Sequence, residues 1–261
     1  GVYLHQPIYN YVQKRKVPIS AEMRYVLSPE EIAEKTVEEI EEIINREFGY
    51  DDFRWQQENN IVIDEPTRAD GLASLLYKCP HCGKENMDSQ GENIFCLDCN
   101  KHWKLEENGE LTGNDGVTEF AHVPDWFEWQ REEVRREILS GEYYFEDEVD
   151  VHSMPGCWKF EPLGTAKVTH SLENGFVLEG FYRGKEYRIQ RTPLQSNSLH
   201  VEYNFPHIKP FDCIDISTEN DSFYCYPTKH NVVTKLAFAT EEIYKIARAN
   251  RRRNRKEKTE E

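Results

Sequence analysis

Two Cys-x-x-Cys pairs, Cys79-Pro80-His81-Cys82 and Cys96-Leu97-Asp98-Cys99, stand either side of residues 83–95. Thiolates in this arrangement do ligand chemistry. Each tight turn places two sulfurs on one side of a loop, and two such turns at the ends of a short hairpin bring four sulfurs around one cation. For zinc the sulfurs would sit roughly 2.3 Å from the metal at the corners of a tetrahedron. Four thiolates close the coordination sphere, so the expected role is structural. The expected cofactor is Zn2+ on Cys79, Cys82, Cys96 and Cys99. The same ligands also suit iron, and ligand type alone does not choose between the two.

The neighbouring residues fit a zinc ribbon. Gly83 and Asn100 follow the two pairs, where a metal knuckle needs a left-handed backbone. Ile94-Phe95 leads into Cys96, and His102-Trp103-Lys104-Leu105 alternates polar with apolar as a half-buried strand does. Glu107-Asn108-Gly109-Glu110 then reads as a turn. A segment this short buries too little apolar surface to hold itself, and metal binding supplies the missing stability. His81 and His102 exceed the four ligands and read as bystanders. Neither pair sits on a strand-to-helix turn, which argues against a thioredoxin-like redox pair.

Other catalytic patterns are weak. No Gly-rich phosphate loop, G-x-S-x-G elbow or metalloprotease helix occurs. His207-Ile208-Lys209-Pro210-Phe211-Asp212 satisfies H-x-x-x-x-D, a pattern in which the aspartate orients a general-base histidine. Pro206 and Pro210 place it in a loop, so no catalytic role is expected of it. The acidic, aromatic stretch Glu142–Asp150 reads as a solvated surface.

Composition narrows the classes. The chain has 261 residues, 31% charged, with a formal net charge of −16. An acidic body repels phosphate, so nucleic acid is not an expected partner. No apolar run is long enough to span a bilayer, and no secretory signal opens the sequence. Of seven cysteines, Cys157, Cys213 and Cys225 lie outside the ribbon, an odd scatter that suits a reducing, cytoplasmic compartment. The chain begins with Gly1 rather than Met, which reads as a piece of a longer protein. One basic cluster interrupts the acidity: Arg248, then Arg251, Arg252, Arg253, Arg255 and Lys256. It either touches anionic lipid at the inner membrane face, or RNA, or complements the dipole of a solvated helix end.

The elements that must carry these residues follow from caps and periodicity. Residues 1–27 look extended. Ser28-Pro29-Glu30-Glu31 is a capping box that starts a helix. Ile32, Val37, Ile40, Ile43, Ile44 and Phe48 recur on it at helical spacing, as a core-facing stripe should. Gly49 ends it, and a short second helix is expected over Arg68–Tyr77. After the ribbon, Pro124 starts a helix capped by Asp125 and Glu128, which runs to Ser140 and stops at Gly141. Trp126, Phe127, Trp129, Val134, Ile138 and Leu139 form its apolar face. Strands are expected at Glu148–Ser153, Trp158–His170, Phe176–Tyr182, Glu186–Arg191, Leu199–Tyr203, Cys213–Ser217 and Ser222–Tyr226. A last helix runs from about Val232 to Arg253 behind Asn231.

The expected fold class is therefore α+β. A helical N-terminal segment carries the inserted ribbon, and an antiparallel domain of about seven strands follows, closed by the C-terminal helix. This is similar to the barrel-plus-helix plan of pleckstrin-homology-like domains, and a sandwich or curved sheet with one covering helix satisfies the same pattern. The expected divisions are 1–27, a helical linker 28–77, the ribbon 78–113, a helical connector 114–145, and the sheet with its helix and basic tail 146–261.

Several stretches resemble the C-terminal extension of certain bacterial 1-acylglycerol-3-phosphate acyltransferases. They are Tyr50–Gln56, Arg68–Leu72, Leu76–Pro80, Phe120–Trp126 and Ala239–Tyr244. Gly1–Leu4, Pro7 and Lys14–Val17 look like the closing segment of the acyltransferase domain itself. The resemblance implies a parent that acylates lysophosphatidic acid, with its catalytic His and Asp upstream of Gly1. It carries no catalytic residue into this chain, whose role would be accessory. The implied partners are the upstream acyltransferase domain, with the membrane surface or an acyl carrier as further candidates. Without that parentage, the same residues read as a zinc ribbon joined to a lipid- or protein-binding module.

Overall fold

The computed structural model describes residues 2–10, 14–205 and 208–260, leaving aside the side chains of Cys157 and of 254–260. In chain order the helices are α1 (Val2–His5), α2 (Pro29–Glu34), α3 (Val37–Phe48) and α4 (Asp52–Glu58). The ribbon strands follow: β1 (Met87–Gln90), β2 (Asn93–Cys96), β3 (His102–Leu105) and β4 (Leu111–Gly113). Helix α5 (Val123–Ser140) leads to β5 (Phe145–Ser153), β6 (Glu161–Ser171), β7 (Gly175–Tyr182) and β8 (Lys185–Arg191). Then come β9 (His200–Phe205), β10 (Phe211–Ser217), β11 (Ser222–Pro227) and α6 (Val233–Glu260).

Among the described residues the strands form two antiparallel sheets. The smaller is the meander β1-β2-β3-β4, and the larger has the order β8-β7-β6-β5-β11-β10-β9. In the larger sheet the first strand in sequence pairs with the last, Val151 opposite Cys225. The two edge strands, β8 and β9, are neighbours in sequence. All seven strands expected from the turn signals are present, with shifted ends. β5 begins at Phe145 because Phe145, Asp147, Val149 and Val151 alternate inward. Asp147 is thus not a surface group: it is buried and accepts from Thr228 Oγ1, Glu148 N and Lys229 N. The first half of β7 is buried on both faces, which explains its broken alternation.

One continuous hydrophobic core runs from Leu4 through the ribbon and α5 to the large sheet and α6. A second cluster, Cys213, Tyr224 and Tyr226 with Phe160 and Phe205, covers the opposite face of the sheet.

The N-terminal helices depart from expectation. The single helix foreseen from residue 29 is broken into α2 and α3, because Thr36 begins a second capping box with Glu39. Neither helix buries a residue. Phe48 is 82% exposed, so the stripe read as core-facing has no core to face. Over Arg68–Tyr77 only a 3-10 turn forms at Leu72–Ser74. At α5 the capping box is not used: the helix starts at Val123, one residue ahead of Pro124, and no side chain caps it. Gly141, with φ of 79°, ends it as expected. Asn231 stands too early to cap α6, and its amide instead donates to Met87 O at 2.7 Å.

Candidate metal centre

The two knuckles are built alike. Cys79 N donates to Lys84 O at 2.8 Å and Gly83 N to Cys79 O at 2.9 Å. The second knuckle repeats both bonds, Cys96 N to Lys101 O and Asn100 N to Cys96 O, each at 3.0 Å. Closing such a loop requires a left-handed residue at its end, and Gly83 (φ 76°) and Asn100 (φ 57°) supply it. Strand β2 delivers Cys96, and the turn before β1 holds Cys79 and Cys82.

The four Sγ atoms lie within 4.8 Å of one another, with Cys79 to Cys99 at 3.8 Å and Cys82 to Cys96 at 3.7 Å. Thiolates roughly 2.3 Å from a tetrahedral metal would be separated by about 3.8 Å. The cluster therefore has the donor type, number and spacing to hold a metal such as zinc. It is the one such cluster among the described residues. Cys79 and Cys96 are buried, Cys99 is half-buried and Cys82 exposed.

The thiols are unequal. Burial pushes Cys79 and Cys96 up, outweighing the N–H groups aimed at them. At Cys82 burial again works upward, but the Lys84 N–H and the other sulfurs together outweigh it and bring the thiol below its usual range. A bound dication favours the deprotonated form of every ligand.

Neither histidine joins the site. His81 Nδ1 lies 3.1 Å from Glu119 Oε1, and His102 stacks on Phe95 at 5.3 Å. Glu119 also accepts from Trp103 Nε1 at 2.9 Å. Lys101, buried beside the second knuckle, ion-pairs with Asp115 and donates to Val117 O at 2.8 Å. The loop after β4 is thereby tied to both knuckles.

Helix α5 fixes the chain entering the site. Trp126 packs edge-on to Trp103 at 4.9 Å and donates to Lys78 O at 2.9 Å. Lys78 Nζ reaches Glu133 at 3.2 Å and Glu137 at 3.1 Å, while Lys235 of α6 reaches Glu137 at 2.8 Å and Glu85 at 2.7 Å. Burial alone would raise the Glu137 carboxyl, but Lys235 and Lys78 hold it below the usual range. Sequence reading missed Gln130, Lys101 and Glu119. Gln130 had a signal: it is the polar member of the inward stripe Trp126, Gln130, Val134, Ile138.

Of the other candidates, Arg251, Arg252 and Arg253 are exposed on α6, and the side chains of Arg255 and Lys256 lie outside the described residues. His207 also lies outside them. Asp212 accepts from Asn204 N at 2.8 Å, and burial raises its carboxyl. Among the described residues no helix is long and apolar enough to cross a membrane.

Comparison with protein-family models, with curated proteins and with solved structures returns no match.

Proposed function

We propose that this chain is a non-catalytic module in which a structural zinc ion closes the ribbon that α5 and α6 pack against. The single observation behind it is the set of four thiols at tetrahedral spacing, with no position left for water or substrate. The module belongs, on this reading, to the accessory region of a phospholipid-synthesis acyltransferase whose catalytic domain acylates lysophosphatidic acid. The stretches Tyr50–Gln56, Arg68–Leu72, Leu76–Pro80 and Phe120–Trp126 support that parentage. They fall on the seam where α4, the ribbon and α5 pack, at Phe53, Arg68, Leu72, Cys79 and Trp126.

Elemental analysis of the purified chain should find one zinc per molecule, and iron in its place would overturn the assignment of the ion. Incubation with an acyl donor and lysophosphatidic acid should give no turnover. Acyl transfer by the purified chain would overturn the accessory role. Parentage is read from the frame upstream of Gly1, where H-x-x-x-x-D and a later Pro-Glu-Gly element are expected.

A second reading, a binding module with a pleckstrin-homology-like plan, is favoured by the pairing of the first sheet strand with the last and by α6 against β9 and β10. On this reading the basic end of α6 meets anionic lipid at the inner membrane face. Co-sedimentation with anionic vesicles should weaken when the chain ends at Ala247, and unchanged binding removes the tail from that role.

A further inference from the structure

Apart from the four-cysteine cluster, α1, α4 and the start of α5, with Leu75 and Tyr203, line an open cavity of about 340 Å3. Its walls are largely rings. Tyr3 of α1 leans on Phe53 of α4, centroids 6.0 Å apart at 59°, and Phe127 of α5 closes another side. Phe127 is itself fixed edge-on against Phe238 at 4.6 Å. Tyr50, 62% exposed, stands at the mouth. The cavity therefore opens to solvent.

The polar part of the lining is negative. Asp51 and Asp52 both contribute, Asp51 already facing His122 Nε2 at 2.6 Å and capping α4, and no Lys, Arg or His is among the described lining residues. Burial works against the charge on Asp51, but the Arg54 N–H, His122 and the Phe53 N–H outweigh it and hold the carboxyl below its usual range. At Tyr50 burial, then Asp52 and Asp51, push the phenol up, so both carboxylates act on the ring at the mouth.

Aromatic faces present negative potential, and carboxylates beside them add to it. A cation suited to such a pocket must tolerate walls that offer few hydrogen-bond acceptors. A primary ammonium loses its hydration there with little return. A methylated ammonium carries its charge under an apolar skin and meets the rings at van der Waals contact. We propose that this cavity binds a quaternary ammonium ion of the trimethylammonium type, its methyl groups against Tyr3, Phe53 and Phe127, with Tyr50 at the mouth and Asp52 in the wall. The volume lies in the range of small-ligand sites. The inference is independent of the acyltransferase parentage.

The test uses the full zinc-loaded chain, titrated with tetramethylammonium and with choline and followed by calorimetry. The uncharged isostere of choline, 3,3-dimethylbutanol, is the control. Saturable binding of both cations is expected, with the isostere weaker by about tenfold or more. Tyr50→Ala and Asp52→Asn should each weaken choline by about fivefold or more, and Tyr50→Phe, which keeps the ring, should bind as the parent does. Tyr50 is exposed, so its variants retain the fold. Phosphatidylcholine vesicles distinguish the source of the group. Co-sedimentation competed by free choline assigns a lipid headgroup, and binding of the free ions alone assigns a soluble ligand. No saturable binding, or isostere and cation binding alike, overturns the proposal.

Discussion

The side-chain carbonyl of Gln130 accepts the backbone N–H of Lys78 at 2.9 Å, one residue ahead of Cys79. The same amide donates to Leu75 O at 2.9 Å. With Trp126 holding Lys78 O, both backbone groups of Lys78 are satisfied by α5 side chains. The four-cysteine cluster is thus positioned by a helix that supplies none of its thiols.

Gln130→Leu should therefore be costly although it adds apolar bulk. It would orphan a buried N–H and a buried C=O, each worth about 1–3 kcal/mol. We expect a loss of about 2–5 kcal/mol in urea denaturation of the zinc-loaded protein. A loss below about 1 kcal/mol would show that the clasp is dispensable.

Cys82→Ser separates ligation from packing. Cys82 is the exposed sulfur, so it contributes little to the core. An exposed substitution with no special role shifts stability by about 0.5 kcal/mol at most. If Cys82 ligates zinc, the variant forfeits part of a binding energy on the order of 10 kcal/mol and should lose more than about 2 kcal/mol. Chelator-treated parent protein, which forfeits all of it, should melt no higher than the variant. Denaturation with and without added zinc checks both, and equal stability of variant and parent would remove Cys82 from the site.

Much of this arrangement is legible in the sequence because its determinants are local. The Cys spacing, Gly83 and Asn100 define each knuckle within six residues, and the sheet strands are bounded by turns such as Glu173-Asn174-Gly175. What is not legible depends on distant partners. Gln130 finds its acceptor and donor at Leu75 and Lys78, more than fifty positions earlier, and Asn231 bonds Met87 across a still longer loop. Helix α4 went unread although Asp51 caps it, accepting from Phe53 N and Arg54 N. The opposite error occurred at α3. Its periodicity is real, but periodicity records an apolar stripe, not what lies opposite it.

That stripe gives a prediction of small effect. Since α2 and α3 bury no residue and Phe48 is 82% exposed, Phe48→Asp should change stability by less than about 0.5 kcal/mol. Thermal melting of the purified chain decides it. A loss above about 2 kcal/mol would mean that Phe48 packs against the body of the protein, as periodicity alone suggested.

His170 gives the pH dependence. It is fully enclosed in β6, stacked on Phe176 at 3.9 Å, and burial lowers its pKa from 6.5 to about 3. The hydroxyl of Tyr143, whose own acidity burial suppresses, lies 2.8 Å from His170 Nδ1, a hydrogen bond the neutral ring makes in either tautomer. The folded pKa lies below the unfolded one, so between these values the unfolded chain takes up a proton that the folded chain excludes. The stabilisation is complete above about pH 6.5 and falls as pH drops towards 3, at up to about 1.4 kcal/mol per unit. From pH 7 to pH 5 the parent should lose about 2 kcal/mol on this account. His170→Gln removes the titrating group while keeping a hydrogen-bonding partner for Tyr143. It should be less stable at pH 7 but should lose correspondingly less on acidification. Because acid also releases metal from thiolates in both proteins, the decisive quantity is the difference between the two curves at saturating zinc. Parallel curves would place His170 in contact with solvent.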